Sequence, residues 1–223
     1  MTTDSDAHTV TKPDLRLGVL ISGTGRTLRN LIQLSQSGNL PADVAVVISS
    51  TERAGGLRFA RDAGIPAHVV VADALDDTRF ADVIATILRR AAVDLVCMAG
   101  FLRLWRIPAD FAGKVMNIHP ALLPDFGGPG FFGDRVHRAV LDSGAGESGC
   151  TVHFADNQFD HGPIILQHRV QVFPGDTPAR LAERVFEQER IAYPQAIRLF
   201  AAGRIELRNG VVRILEEDDP IPR

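Results

Sequence analysis

The sequence predicts an α/β fold on a doubly wound, mostly parallel sheet, with antiparallel strands toward the C-terminus. Three features predict it. Short apolar runs alternate with segments of helical period as far as residue 119, the pattern of a parallel sheet covered on both faces. The first run ends in a glycine turn that opens a helix, as in nucleotide-binding α/β units. After residue 149 the apolar runs lengthen, show mixed faces, and are joined by a loop rather than a helix, which suits antiparallel pairing.

The elements follow in order. LRLGVLI (15–21) reads as a buried strand stopped by SGTG. Leu28, Leu31, Ile32 and Leu34 then recur at helical spacing, with Gly38 as the stop. Residues 43–49 are a second buried strand, 57–64 a short helix closed by Gly64, and 67–71 a third strand. An amphipathic helix over 78–90 leads to a fourth strand, 93–99. A short helix near 106–112 precedes a fifth strand, 114–119. A Gly- and Pro-rich loop (120–133) and a helix (134–144) come next, then the longer strands 150–155 and 163–173. A long helix over 177–203 contains Pro194, where a kink or bend is expected. Asn209-Gly210 between RIEL and VVRIL marks a final hairpin. The whole is Rossmann-like, with one domain over 15–215, a disordered tail over 1–14 and a loose tail over 216–223.

Composition excludes several classes. Of the 223 residues, 45% are hydrophobic and 23% charged, so a full core is within reach and disorder, collagen and disulfide scaffolds are ruled out. A formal charge of −3 provides no global basic field for nucleic acid. Cys97 and Cys150 lie in apolar or strand-like runs without a CxxC partner and read as reduced packing thiols of a cytoplasmic protein. No uncharged apolar run reaches the roughly 18 residues of a membrane helix. The polar N-terminus is not a secretory signal.

Three places could carry chemistry. The turn Ser22-Gly23-Thr24-Gly25-Arg26-Thr27 aims backbone N–H groups of a helix N-terminus at an anion, and Arg26 could add a charge-assisted contact; the plain alternative is a tight turn. NAD binding is disfavoured, because the third glycine is missing and the second strand ends in Ser49-Ser50 rather than an acid. No GK[ST] follows, so it is not a Walker loop. Asn117 and His119 share one face at the end of the fifth strand, at the sheet edge where such folds bind ligands. An amide beside an imidazole suits a carbonyl oxygen that becomes negative during attack; a strand-ending Asn and a buried, backbone-bonded His are the plain alternative. Asp160 sits in a turn and matters only if folding brings it to His119, where its charge favours imidazolium.

Five of the seven histidines fall within 119–168, which raises the question of a metal. Their spacing fits no ligand motif, so no metal is expected. Phe126, Phe131 and Phe132 read as a packed loop, with a lid as the alternative. Ser22 and Ser148 lack any GxSxG context, so no serine nucleophile is supported.

The segments LISGTGRTLRNLI, MAGFLRLW, NIHPALLPDF, GCTVHFADNQFDHGPIILQ and FEQERIAYP, in this order, resemble the phosphoribosylglycinamide formyltransferase family over about residues 15–210. The resemblance implies that the primary amine of glycinamide ribonucleotide attacks the formyl carbon of 10-formyltetrahydrofolate, a co-substrate, with no metal. It implies that Asn117 and His119 stabilise the oxyanion and that Asp160 holds His119 charged and helps carry the proton. It places the ribonucleotide phosphate at Gly25, Arg26 and Thr27 and its amine at Glu189. It puts folate against Met98, Phe101, Leu102 and Arg103, with Arg103 foremost, and against Asp156, Asn157 and Phe159. Arg26-Thr27 departs from the family's usual Ser-Asn, and the stretch 127–136 is an insertion. Partners are small molecules, with neither nucleic acid nor membrane, in a monomer or homodimer.

Rival readings share the core. Methionyl-tRNA formyltransferase needs an extra C-terminal domain and a basic surface. Formyltetrahydrofolate deformylase normally has an N-terminal regulatory domain and His-His where this chain has His119-Pro120. A sugar-nucleotide N-formyltransferase keeps the same core. A non-catalytic folate-binding protein would have a degenerate site, whereas all three catalytic positions are intact here.

Overall fold

The structure is a computed structural model that describes residues 15–72, 76–216 and 219; the tail expected over 1–14, and most of that over 216–223, lie outside these residues. The elements, in chain order, are β1 (Leu15–Ile21), α1 (Arg26–Gln36), β2 (Ala42–Ser49), α2 (Leu57–Asp62), β3 (Ala67–Val69), α3 (Asp77–Arg90), β4 (Leu95–Met98), β5 (Val115–His119), α4 (Asp134–Asp142), β6 (Glu147–Phe154), β7 (Ile164–Gln171), α5 (Pro178–Ala201), β8 (Ile205–Arg208) and β9 (Val211–Ile214). One seven-stranded sheet has the order β3-β2-β1-β4-β5-β6-β7. The pairings from β3 through β5 are parallel, and β6 and β7 close the sheet antiparallel. This is the predicted α/β architecture. The short helix expected near 106–112 is reduced to one 3-10 turn, Ala109–Phe111, entered from an extended Pro108. Pro194 lies inside α5 as one helical element and is buried there. The last hairpin turns on Asn209 and Gly210, both at positive φ, as a two-residue hairpin turn requires.

Strand alternation sends side chains to two cores. In β1, Leu17, Val19 and Ile21 pack with Leu28 and Leu31 of α1 and Leu181 and Val185 of α5. Leu20 faces the opposite layer with Phe80, Ile84 and Leu88 of α3. Each such fully buried side chain contributes about 1.5–3 kcal/mol. Buried Cys97 and Cys150 belong to the first core, and burial pushes both thiols up to about 12, so they behave as inert packing groups.

The chain runs outward from β1 to β3 and then crosses back to place β4 on the other side of β1. That reversal leaves a crevice beyond the carboxyl ends of β1 and β4. Buried Tyr193 of α5 steadies its floor, since its hydroxyl lies 3.1 Å from the Met98 carbonyl and 2.9 Å from that of Met116. One tyrosine thus joins α5 to the ends of β4 and β5.

Candidate active site

The crevice is a cavity of about 510 Å³. Its wall holds Gly25, Arg26, Thr27 and Glu189, the apolar side chains of Phe101, Leu102 and Phe159, and Asn117, His119 and Asp160. Ten sequence-predicted residues therefore meet at one site.

Asn117 and His119 are brought there by the last residues of β5, which pair with His153 and Thr151 of β6. Asp160 arrives from the β6–β7 loop at a φ of 52°. Its Oδ2 stands 3.4 Å from His119 Nδ1 and accepts the Gly128 N–H at 3.0 Å. Its Oδ1 accepts from Asn117 Nδ2 at 3.2 Å. Burial alone would raise the Asp160 pKa, but His119 and the Gly128 N–H outweigh it and hold the carboxyl far below its usual range. Asp160 is thus an anion in a mostly closed pocket.

His119 is buried, with 3% of its surface exposed. Its Nε2 lies 2.8 Å from the Phe126 carbonyl, and Nδ1 faces Asp160. An acceptor thus stands opposite each ring nitrogen. Phe126 and Asp160, the residues supplying those acceptors, both have positive φ. For non-glycine residues that conformation costs on the order of 1–3 kcal/mol each, and such strain clusters at functional sites.

His153 was not singled out for this site by the sequence. It is buried below Asn117, with Nδ1 2.8 Å from the Phe154 carbonyl and Nε2 3.1 Å from Asn117 Nδ2. Nδ1–H therefore donates to the carbonyl and Nε2 accepts from the amide. Both Asn117 N–H groups are then committed, one to His153 and one to Asp160. The oxyanion role expected of Asn117 requires one of them to turn to the ligand. His137 of α4 also faces the cavity, buried, with Nδ1 lacking any hydrogen-bond partner. Burial lowers its pKa, and nearby His119 lowers it further against the pull of Asp134. The clustering of histidines in the sequence was the available signal for both. No group of residues that could hold a metal ion occurs among the described residues.

The turn expected to hold a phosphate is built from backbone. Gly25 caps α1 at φ 76° without a side-chain cap, which leaves first-turn N–H groups for an anion. A Cβ on Gly25 would lie 2.3 Å from the Cα of Gly56, so glycine is required by both conformation and space. Arg26 turns its fork onto Glu183, with two contacts of 2.6 Å, and stacks 3.7 Å above the Phe186 ring. Glu189 lines the cavity, with no hydrogen-bond partner among the described residues. Burial raises its pKa to about 7, against the lowering pull of His119 and Arg26.

Four predicted folate residues do not line the cavity. Met98 is nearly buried, and its carbonyl is held by Tyr193. Asp156 binds the Gln158 N–H and His161 within its own loop. Asn157 accepts the Ile107 N–H at 2.9 Å. Arg103 stands outside the wall. Asp156 and Asn157 shape the loop that presents Phe159 and Asp160 rather than forming the surface themselves.

The formyl transferase family matches residues 15–197. The chain is 38% identical to a phosphoribosylglycinamide formyltransferase, chloroplastic, of Arabidopsis thaliana, over 92% of this chain and 72% of that protein. It is 36% identical to the phosphoribosylglycinamide formyltransferase of Haemophilus influenzae, over 88% of this chain and 92% of the relative. A crystal structure of glycinamide ribonucleotide transformylase 1 from Symbiobacterium toebii superposes with a TM-score of 0.85 at 41% identity, covering 96% of this chain and all of the other. With its sheet order, its crevice and these matches agreeing, the chain belongs to the formyl transferase family, among the phosphoribosylglycinamide formyltransferases.

Proposed function

We propose that this chain transfers the formyl group of 10-formyltetrahydrofolate to the primary amine of glycinamide ribonucleotide, a step of purine biosynthesis. The observation that carries the reading is the cluster of His119, Asp160 and Asn117 in a cavity also lined by a backbone anion turn and by apolar side chains. The ribonucleotide phosphate sits on the N–H groups at Gly25, Arg26 and Thr27. Its amine lies toward Glu189, whose carboxylate takes up the ammonium proton or accepts an N–H, so that the nitrogen lone pair is free to attack. Phe101, Leu102 and Phe159 receive the flat apolar body of the folate.

The amine nitrogen attacks the formyl carbon, and the carbonyl π pair moves onto oxygen. His119 donates to that oxygen once its Nε2–H leaves the Phe126 carbonyl, and Asn117 adds a second donor once one N–H leaves Asp160. The surplus proton on the attacking nitrogen passes by way of the His119–Asp160 pair to the folate nitrogen. The carbon–nitrogen bond to folate then breaks as the carbonyl re-forms. No covalent intermediate on the protein and no metal are needed. Met98, Asp156 and Asn157 take the role of a supporting layer behind the folate wall, and exposed Arg103, next to Leu102 in the chain, supplies a charged contact to folate. Partners are small molecules only, in the cytoplasm, in a monomer or homodimer without nucleic acid or membrane; no helix among the described residues is long and apolar enough to cross a membrane.

A spectrophotometric assay with 10-formyltetrahydrofolate, with and without glycinamide ribonucleotide, tests the reading. Turnover is expected only with the ribonucleotide. Equal folate release without it means a deformylase, and no release in either case removes the transferase reading.

A further inference from the structure

We propose that Ser22 is a positioning residue whose hydroxyl sets the separation of the two substrate-holding loops. This rests on the reading of Gly25, Arg26 and Thr27 as the phosphate turn and of Phe101 and Leu102 as folate wall. Ser22 directly follows β1 and binds across the crevice in two ways. Its N–H donates to the Gly100 carbonyl at 3.0 Å, and its Oγ accepts the Leu102 N–H at 2.9 Å. The same Oγ lies 2.6 Å from Ser50 Oγ, and the Ser50 N–H donates to the Ile21 carbonyl at 3.0 Å.

Ser50 opens the turn that leads to Gly56. The Gly56 N–H reaches the Gly23 carbonyl at 3.2 Å, and its backbone packs against Gly25. One hydroxyl therefore joins the phosphate turn, the β2–α2 turn that braces it, and the loop carrying Phe101 and Leu102. A nucleophile is not what this serine provides, because its Oγ partners are an amide and another hydroxyl, neither of them a base. Phe101 anchors the loop in the core against Phe80, whereas Leu102 is 46% exposed and lies in irregular backbone, so the Ser22 Oγ link is what ties Leu102 itself to the end of β1. Loss of the hydroxyl leaves each loop able to bind its own substrate but displaces one reactant from the other, which lowers the rate within the bound complex rather than affinity.

The test uses the full chain with Ser22→Thr and Ser22→Val, side chains of nearly equal volume that differ in the hydroxyl. The rate is expressed per tetrahydrofolate site titrated by calorimetry, so a misfolded fraction does not enter. Val is expected to turn over about tenfold more slowly than Thr, with KM for each substrate within about twofold. Equal kcat in Thr and Val, or a Val deficit that lies wholly in KM, overturns the proposal. If Val binds no folate, Ser22→Ala takes its place under the same criteria. A wild-type chain without ribonucleotide-dependent turnover removes the functional reading; an active wild type with equal Thr and Val rates removes this inference alone.

Discussion

The phosphate turn and the catalytic cluster lie a few residues apart in space but are built by different means. The turn is contiguous in sequence, made of main chain, and reaches its left-handed corner with glycine. The cluster is made of side chains from β5, β6 and the β6–β7 loop, held by a carbonyl and an N–H of the 120–133 loop. It reaches its left-handed positions with Phe126, a residue that resists that conformation, and Asp160, of a type that tolerates it. An anion site needs only N–H groups aimed at one point, which local backbone supplies. A proton-transfer pair needs a buried charge balanced by several donors, which only tertiary structure brings together. The turn should therefore fail by losing stability and ribonucleotide affinity, and the cluster by losing rate with little change in fold.

The cluster's failure is the largest effect. Asp160→Asn removes the anion opposite His119 while keeping the side-chain shape, and Asn accepts a positive φ better than most residues. The expected result is a fall in kcat of about 10²–10⁴-fold with an unchanged far-UV spectrum and a Tm within a few degrees of wild type. Turnover near wild type would show that the pair does not carry the proton.

The turn should break differently. Gly25→Ala combines a left-handed conformation with a Cβ driven into the Gly56 backbone, so about 3 kcal/mol of stability is expected to be lost. Gly38 has a similar φ of 71° but open space around its missing Cβ; Gly38→Ala should cost about 1 kcal/mol. Urea midpoints at constant m-value measure both. Equal losses would mean that the Gly25–Gly56 contact yields, and the turn is less rigid than its packing indicates.

The same contrast governs what the sequence disclosed. The strands, the order of helices and the turn at Gly25 followed from periodicity and punctuation, because their information is local. Asn117 and His119 could be placed on one strand face, since two residues of a strand share a side. The approach of Asp160 depends on β6 and β7 folding back beside β5, which spacing does not encode; for that contact the family resemblance was needed. His153 was invisible as a partner of Asn117, since it pairs with it only through the antiparallel register of β5 and β6. Residues 156–157 were expected in the folate wall, but Asp156 binds within its own loop, as short polar side chains in turns do, and Asn157 ties that loop to the Ile107 N–H, a long-range contact that spacing does not encode.

Glu189 sharpens the comparison through pH. Its pKa rises from 4.5 to about 7 on folding, chiefly by burial. The folded chain thus holds a proton that the unfolded chain releases between those values, so this group makes stability fall as pH rises from about 4.5 to about 7 and level off above. Glu189→Gln should abolish that component, visible as a smaller drop in Tm across the window than in wild type. It should also raise KM for the ribonucleotide several-fold, since the carboxylate no longer meets the amine. An identical pH profile in both proteins would mean that Glu189 titrates normally.

The smallest effect belongs to the exposed ion pair beside the turn. Arg26 and Glu183 are 43% and 63% exposed at the side chain, and such pairs contribute about 0–1 kcal/mol. Glu183→Gln should shift stability by less than about 0.5 kcal/mol, since Arg26 keeps its stack on Phe186. Its effect on binding has a definite sign. Glu183 offsets the charge of Arg26 at the edge of the phosphate turn, so its neutralisation frees the guanidinium for the substrate. KM for the ribonucleotide should drop by about two- to threefold at low salt and return toward wild type as salt rises. A rise in KM instead would mean that Glu183 holds Arg26 in its working position, and that the turn, for all its backbone construction, depends on one side-chain contact of the kind that builds the catalytic cluster.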